Sequence, residues 1–323
     1  MNKDSKLFKE LSNSELSILI DDYFGNNTKF EGSLITGGLF NTTYCIKLLN
    51  TNEKFILRVG PVNTDLLLPF ELNLMKGEEY VYSLCEANNI SSSKILKCDV
   101  SKKLIPRDYM IIEYIDSKPF SELKFDKETE SFLYTEVGKH ISKLHQITSK
   151  KFGRVYDVFN NKGFNSWSEF IFDEFQKVKN RLNEFDIFTE EELHSFESII
   201  KRNFNLLDEI KTPHLVHCDL WTGNILIESY NSTPKVAAII DADRSLFGDT
   251  DFELANPWII NEDFLNGYGM TSDDSHNKII RKNIYRLINH LIEAYVWKVE
   301  YNNPIASENE KLNAIKLLND IVK

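Results

Sequence analysis

The chain has 323 residues, more than one hydrophobic core ordinarily serves, so two domains or lobes are expected and a single small module is excluded. Its composition, 42% hydrophobic and 27% charged with thirteen Gly and eight Pro, excludes a collagenous or low-complexity chain. Thirty-eight Lys and Arg against forty-nine Asp and Glu leave a net charge of −11, which argues against nucleic acid and anionic membrane surfaces as partners.

The first ten residues lack the apolar region of a signal peptide, and no later stretch approaches the roughly 20 apolar residues of a membrane helix, so the chain reads as mature, soluble protein. Ser12 and Glu15 have capping-box spacing ahead of Leu16, Leu19, Ile20 and Phe24, which predicts a first helix without visible chemistry. From Lys29 the pattern turns to β. Runs at Phe30–Thr36, Thr42–Leu49 and Lys54–Val59, separated by Gly37-Gly38-Leu39-Phe40-Asn41 and Asn50–Asn52, predict an antiparallel meander. A helix is expected over about Phe70–Ala87, then strands at Lys94–Asp99 and Tyr109–Ile115. Strands, one helix and strands again make a first lobe, residues 1–115, with the break near 115–121.

Residues 116–323 read as mostly helical, with helices around Phe132–Leu144, Trp167–Phe185, Phe196–Ile210 and Ile279–Tyr301. Two short β-like runs interrupt them, His214–Ile227 and Val236–Asp241. The fold class is therefore α+β, a sheet lobe followed by a larger helical lobe. Cys45, Cys85, Cys98 and Cys218 lie far apart with no C-x-x-C pair, so neither a zinc ribbon nor a disulfide framework is indicated, and a reducing cytoplasm is the expected location.

The chemistry concentrates in Val216-His217-Cys218-Asp219-Leu220-Trp221-Thr222-Gly223-Asn224 and in Ile239-Ile240-Asp241-Ala242-Asp243. Phosphoryl transfer from a nucleotide asks little of a protein: a carboxylate to orient an attacking hydroxyl, and oxygen ligands for the metal that bridges the phosphates. Asp219 suits the first role, and Asn224 with Asp241 suits the second, because Mg²⁺ prefers a few oxygen ligands completed by phosphate and water. A two-metal phosphoesterase would need further His and Asp clusters, which the seven His of the chain do not supply. A nucleophilic role for Cys218 has no supporting His/Asn pattern.

These residues carry a resemblance. H-x-D-x-x-x-x-N at His217, Asp219 and Asn224, I-D at Ile240 and Asp241, and the acidic stretch Gly248, Asp249, Glu253, Leu254, Ala255 stand in the order of the aminoglycoside phosphotransferase and choline kinase-like family, over about Phe30–Ala255. The resemblance implies a two-lobed protein-kinase-like fold and a kinase that moves the γ-phosphate of ATP or GTP to a small-molecule hydroxyl. It implies Asp219 as catalytic, Asn224 and Asp241 as Mg²⁺ ligands, and His217 as a loop-holding group. In the first lobe it implies a phosphate-covering hairpin at Gly37, Gly38 and Asn41, and Arg58 in place of the usual lysine on the third strand. Arg58's carboxylate partner is expected on the next helix, with Glu78 fitting the spacing better than Glu79. Backbone contacts to the adenine are implied at Glu113 and Ile115. Asp243 is expected to be structural.

For the acceptor, the family offers aminoglycosides or choline, cations that acidic side chains receive, and Asp249, Asp251, Glu253, Glu262, Asp263, Asp273 and Asp274 are the acids at hand, with Phe247, Trp258 and Tyr268 as flat surfaces. The wording Asp-Leu-Trp-Thr-Gly-Asn of the loop is similar to ketosamine kinases as well. A metabolic kinase of choline, ethanolamine or ketosamine, and a silent kinase-like binding module, are the alternatives to an aminoglycoside kinase.

Overall fold

The computed structural model describes residues 5–228, 233–256, 258–270 and 275–322. Ser5–Ser12 form an extended strap. Helix α1 (Asn13–Phe24) follows, and its Ser12–Glu15 capping box is formed. Strands β1 (Phe30–Ile35), β2 (Thr42–Leu48) and β3 (Lys54–Val59), helix α2 (Leu74–Ala87), and strands β4 (Ile95–Asp99) and β5 (Tyr109–Glu113) complete the sheet lobe. The sheet is antiparallel in the order β1-β2-β3-β5-β4. β2 alternates buried and half-buried residues, the period expected of a strand with one face on a core, and Leu19 and Ile20 of α1 close that core against Ile46, Leu57 and Val59. The helix expected from Phe70 begins later. Pro69 opens a 3₁₀ turn through Asn73, and Glu71 folds back to accept from the Leu68 N–H at 2.9 Å, so α2 starts only at Leu74.

Beyond β5 the chain continues through β6 (Lys118–Pro119), α3 (Lys127–Leu144), β7 (Gly153–Arg154), α4 (Val155–Phe159), α5 (Trp167–Glu184), α6 (Glu190–Arg202), α7 (Phe204–Leu207), β8 (His214–Val216), β9 (Ile225–Glu228), β10 (Lys235–Ile239), β11 (Leu246–Gly248), α8 (Asp251–Leu254), α9 (Glu262–Tyr268), α10 (His276–Tyr295) and α11 (Pro304–Val322). Two small sheets, β10-β9-β6 and β7-β11-β8, carry the loops of interest. The helix expected at Phe196–Ile210 starts instead at Glu190, where Thr189 and Glu192 make a capping box, and it breaks at Asn203. The one expected at Ile279–Tyr301 loosens into a π-turn over Val296–Glu300. Trp167, Phe170, Phe175 and Phe196 centre the core of the helical lobe. Among the described residues no helix is long and apolar enough to cross a membrane.

The strap ties the two lobes together. Its Leu7 is fully buried in the core of the helical lobe. The Lys6 N–H donates to the Glu300 carbonyl at 2.8 Å, the Lys9 carbonyl accepts from Thr42 Oγ1 at 3.0 Å, and Ser5 Oγ donates to the Leu39 carbonyl at 2.9 Å, in the hairpin between β1 and β2.

Candidate active site

β8 delivers the chain into the His217–Asn224 loop, and the loop is held by bonds that its own residue types supply. Asp219 N–H donates to His217 Nδ1 at 3.2 Å, which leaves the ring hydrogen on Nε2, facing the Ile240 carbonyl at 3.1 Å. His217 thus joins the loop to the end of β10. Cys218 takes a left-handed backbone, φ 71°, costly for a residue with a Cβ. That conformation turns the N–H groups of His217 and Cys218 onto Glu253 Oε2, at 2.7 and 3.3 Å. Burial alone would raise the Glu253 carboxyl, but His145, whose Nε2 lies 3.9 Å away, and the nearby His217 outweigh it and hold the group below the usual range. Tyr268 fixes His145 in turn, Oη to Nδ1 at 2.7 Å.

Asn224 donates both amide hydrogens to Asp219, one to its carbonyl and one to Oδ2, each at 2.9 Å. The Asn224 side-chain oxygen is then its remaining polar atom. Burial pushes the Asp219 carboxyl up, with Arg244 opposing. Asp241, also left-handed at φ 63°, follows β10, and its N–H donates to Tyr82 Oη at 3.0 Å. The same hydroxyl donates to Glu78 Oε1 at 2.7 Å. Tyr82 therefore sets the spacing between α2 and Asp241, a role with no motif to announce it.

Arg58 is the most heavily contacted group of the site. Nη1 meets both oxygens of Glu78 at 2.8 and 2.7 Å, and Nη2 meets Asp243 Oδ2 at 2.9 Å and also pairs with Asp241. With the Asn41 amide turned so that oxygen meets guanidinium, that oxygen accepts from Nη2 and Nε at 2.7 and 2.8 Å. Burial would strip the proton from Arg58, but Asp241, Glu78 and Asp243 hold it firmly charged. Glu79 points elsewhere, to Lys76. Glu78, Asp241 and Asp243 bring carboxylate oxygens within 4.8 Å of one another.

Gly37, Gly38 and Asn41 roof a cavity of about 370 Å³ that reaches Arg58, Asp219, Asn224 and Asp241. Gly37 has φ 123°, a conformation that only glycine adopts readily. Behind it a cavity of about 430 Å³ runs between Ile56 and Ile112 on one side and Leu226 and Ile240 on the other, with Glu113 and Ile115 at its edge. The Glu113 N–H already donates to the Lys94 carbonyl at 2.9 Å, so at most the carbonyl of that residue can serve a ligand. Trp221 lines both cavities and lies over Gly223.

A third cavity, about 540 Å³, opens on the other side of Asp219. Asp219, Arg244, Glu293 and Trp297 line both it and the 370 Å³ cavity. The acids at hand for a cationic acceptor are not its walls. Asp249 accepts from Tyr285 Oη at 2.7 Å, Asp251 pairs with Lys278 at 3.1 Å, and Glu253 holds the loop; all three are buried. Glu262 and Asp263 sit in the first turn of α9, and Asp273 and Asp274 lie outside the described residues. Of the three aromatics, Phe247 is core and Tyr268 binds His145, while Trp258, 54% exposed, does line the cavity. Further polar walls come from α10, whose Arg286, Asn289, His290 and Glu293 lie on one face. The sequence signal for them was a polar stripe at i, i+3, i+4, i+7 inside an apolar helix.

Comparison with known proteins accords with this geometry. No curated relative matches the sequence. Among solved structures, the chain is similar to a Plasmodium vivax ethanolamine kinase (16% identity, TM-score 0.63, 93% of this chain and 86% of that one). It is similar to the streptomycin–ATP–APH(2")-IIa ternary complex (13%, 0.62, 97% of each chain). It is similar also to a choline kinase from Cryptosporidium parvum Iowa II (14%, 0.55, 96% of each chain). These likenesses establish a protein-kinase-like fold. The family model for fructosamine kinase matches residues 13–313, nearly the whole chain, and the chain belongs to that family.

Proposed function

We propose that this protein is a kinase that transfers the γ-phosphate of ATP to a sugar hydroxyl of a ketosamine, the adduct of a reducing sugar and an amine. The observation that carries the reading is the position of Asp219, a half-buried carboxylate in the wall shared by the 370 Å³ and 540 Å³ cavities. Membership of the fructosamine kinase family supports the ketosamine, and the ATP in the similar streptomycin complex supports the nucleotide. The reading assigns nucleotide binding to residues 1–115 and the acceptor to 116–323, and working on ATP the protein would act in the cytoplasm, where its four free cysteines stay reduced.

The donor set fits Mg²⁺. The Asn224 amide oxygen and the Asp241 carboxylate are hard oxygen donors beside one cavity, and both of the Asn224 amide hydrogens are already turned onto Asp219. Bound there, Mg²⁺ would neutralise phosphate charge. Asp219 accepts the hydrogen of the acceptor hydroxyl and aligns its oxygen, and Asn224 and the Glu253-held loop keep Asp219 in place. Arg58 leaves Asp241 to meet phosphate oxygens, and Gly37 and Gly38 admit those oxygens close to backbone.

An assay of nucleoside diphosphate release over ketosamines, aminoglycosides, choline and ethanolamine, with ATP and with GTP, tests this. Ketosamines with ATP are expected to turn over fastest. Asp219→Ala is expected to abolish turnover while nucleotide binding persists in calorimetry. Undiminished turnover by that variant, or preference for aminoglycosides or choline, refutes the reading.

A further inference from the structure

The charges around the 540 Å³ cavity are compensated unevenly. Arg154 donates to Glu174 Oε2 from Nε and Nη2, at 2.9 and 2.7 Å. Arg244 pairs with Glu71 at 3.1 Å and lies 3.9 Å from Glu293, and His290 Nδ1 lies 2.5 Å from Glu310 Oε2. Arg286 differs. Its Nε donates to the Ala255 carbonyl at 2.9 Å and its Nη1 to Asn283 Oδ1 at 3.2 Å, both uncharged, and among the described residues it forms no ion pair. A half-buried guanidinium on a cavity wall, held in place by neutral acceptors, is a site for an anionic group of a ligand.

Its place along α10 says which part of the ligand. Glu293 lines the cavities on both sides of Asp219, whereas Arg286 lines only the 540 Å³ one. The two are seven residues apart on one helix face, about 10 Å along the axis. An acceptor whose hydroxyl meets Asp219 therefore passes Glu293 first and ends near Arg286. Resting on the ketosamine reading, we infer that Arg286 is a specificity-determining residue: among sugar adducts of amines it selects those whose amine half carries a free carboxylate, which Arg286 receives while the cationic nitrogen of the adduct faces Glu293. Such a zwitterion matches the order of charges along α10. A polycation of aminoglycoside type would bring ammonium groups against Arg286.

The test compares sugar adducts of glycine, β-alanine, γ-aminobutyrate and lysine (through its ε-nitrogen), each against the corresponding carboxamide. For at least one chain length the wild type is expected to favour the carboxylate by about tenfold or more in kcat/KM, mostly through KM. Arg286→Gln is expected to bring that ratio to within about twofold of one, and Arg286→Lys to restore part of it, with melting curves establishing that each variant is folded. Equal turnover of acid and amide by the wild type at every length overturns the inference and leaves the kinase reading standing, as does a preference that survives in a folded Arg286→Gln. Should that variant not fold, the wild-type comparison decides alone. Turnover of no adduct at all removes the ketosamine reading and this inference with it.

Discussion

Glu253→Gln isolates the carboxylate that holds the His217–Asn224 loop. The amide has the same shape, so packing is kept while the two bonds from the His217 and Cys218 N–H groups lose their charge assistance. A hydrogen bond to a charged group is worth about 1.5–3 kcal/mol and a neutral one about 1, so two such bonds give a loss of about 2 kcal/mol. Cys218 adds to this, since its left-handed backbone is no longer held as firmly. Urea unfolding at pH 7 should therefore place the variant about 2–3 kcal/mol below wild type. Because the loop carries Asp219, kcat should fall by about tenfold or more with a smaller change in nucleotide KM. The pH dependence has a definite sign. Glu253 is held below its ordinary value of 4.5 in the folded protein, so its contribution is complete above that value and disappears as pH falls through the lower folded one. The gap between wild type and variant should be flat from neutral pH upward and close in acid. A variant within about 0.5 kcal/mol of wild type and with unaltered kcat, or a gap that widens in acid, would refute the reasoning.

Gly223→Ala probes the Trp221 wall of the cavities proposed to take the nucleotide. A Cβ there would lie 2.1–2.6 Å from the Trp221 indole, whose 43% exposure lets the ring swing away, so stability should change little while nucleotide KM rises several-fold and tryptophan fluorescence shifts; unchanged KM and fluorescence would contradict this. Glu300 is buried with both carboxyl oxygens lacking a hydrogen-bond partner, and burial together with neighbouring Glu71 pushes its carboxyl up to about 11. The folded protein keeps this proton while the unfolded chain releases it above 4.5, so wild-type stability declines as pH rises over that window. Glu300→Gln removes the slope, and in urea unfolding it should gain on wild type from pH 5.5 to 8.5, by about 4 kcal/mol over that interval; parallel stability curves would rule the explanation out.

Local chemistry was legible in the sequence where both partners of an interaction are close in the chain. The Ser12–Glu15 cap and the Lys54–Val59 strand have the bounds their patterns predict. The His217–Asn224 loop is legible for the same reason, since His217, Asp219 and Asn224 bond largely to one another. Neither a solvated face nor an acceptor surface describes Asp249, Asp251 and Glu253, whose partners, Tyr285, Lys278 and the His217 backbone, come from distant segments that spacing cannot reveal. The polar cavity walls on α10 were missed for a related reason. Arg286, Asn289 and Glu293 look like the solvent stripe of any amphipathic helix until the fold turns that stripe toward Asp219.

The match to the family begins at residue 13, downstream of the strap. A chain trimmed to the matched residues would lose Leu7 from the largest core, where an emptied leucine site costs about 2.7–5 kcal/mol, and would leave the Leu39 carbonyl of the glycine hairpin without its Ser5 donor. The segment that kinship makes recognisable is thus shorter than the segment that folds as one piece. In this protein the short stretch ahead of the matched residues braces the element proposed to close over the nucleotide, which makes it a place where a substitution can change nucleotide affinity without touching the His217–Asn224 loop.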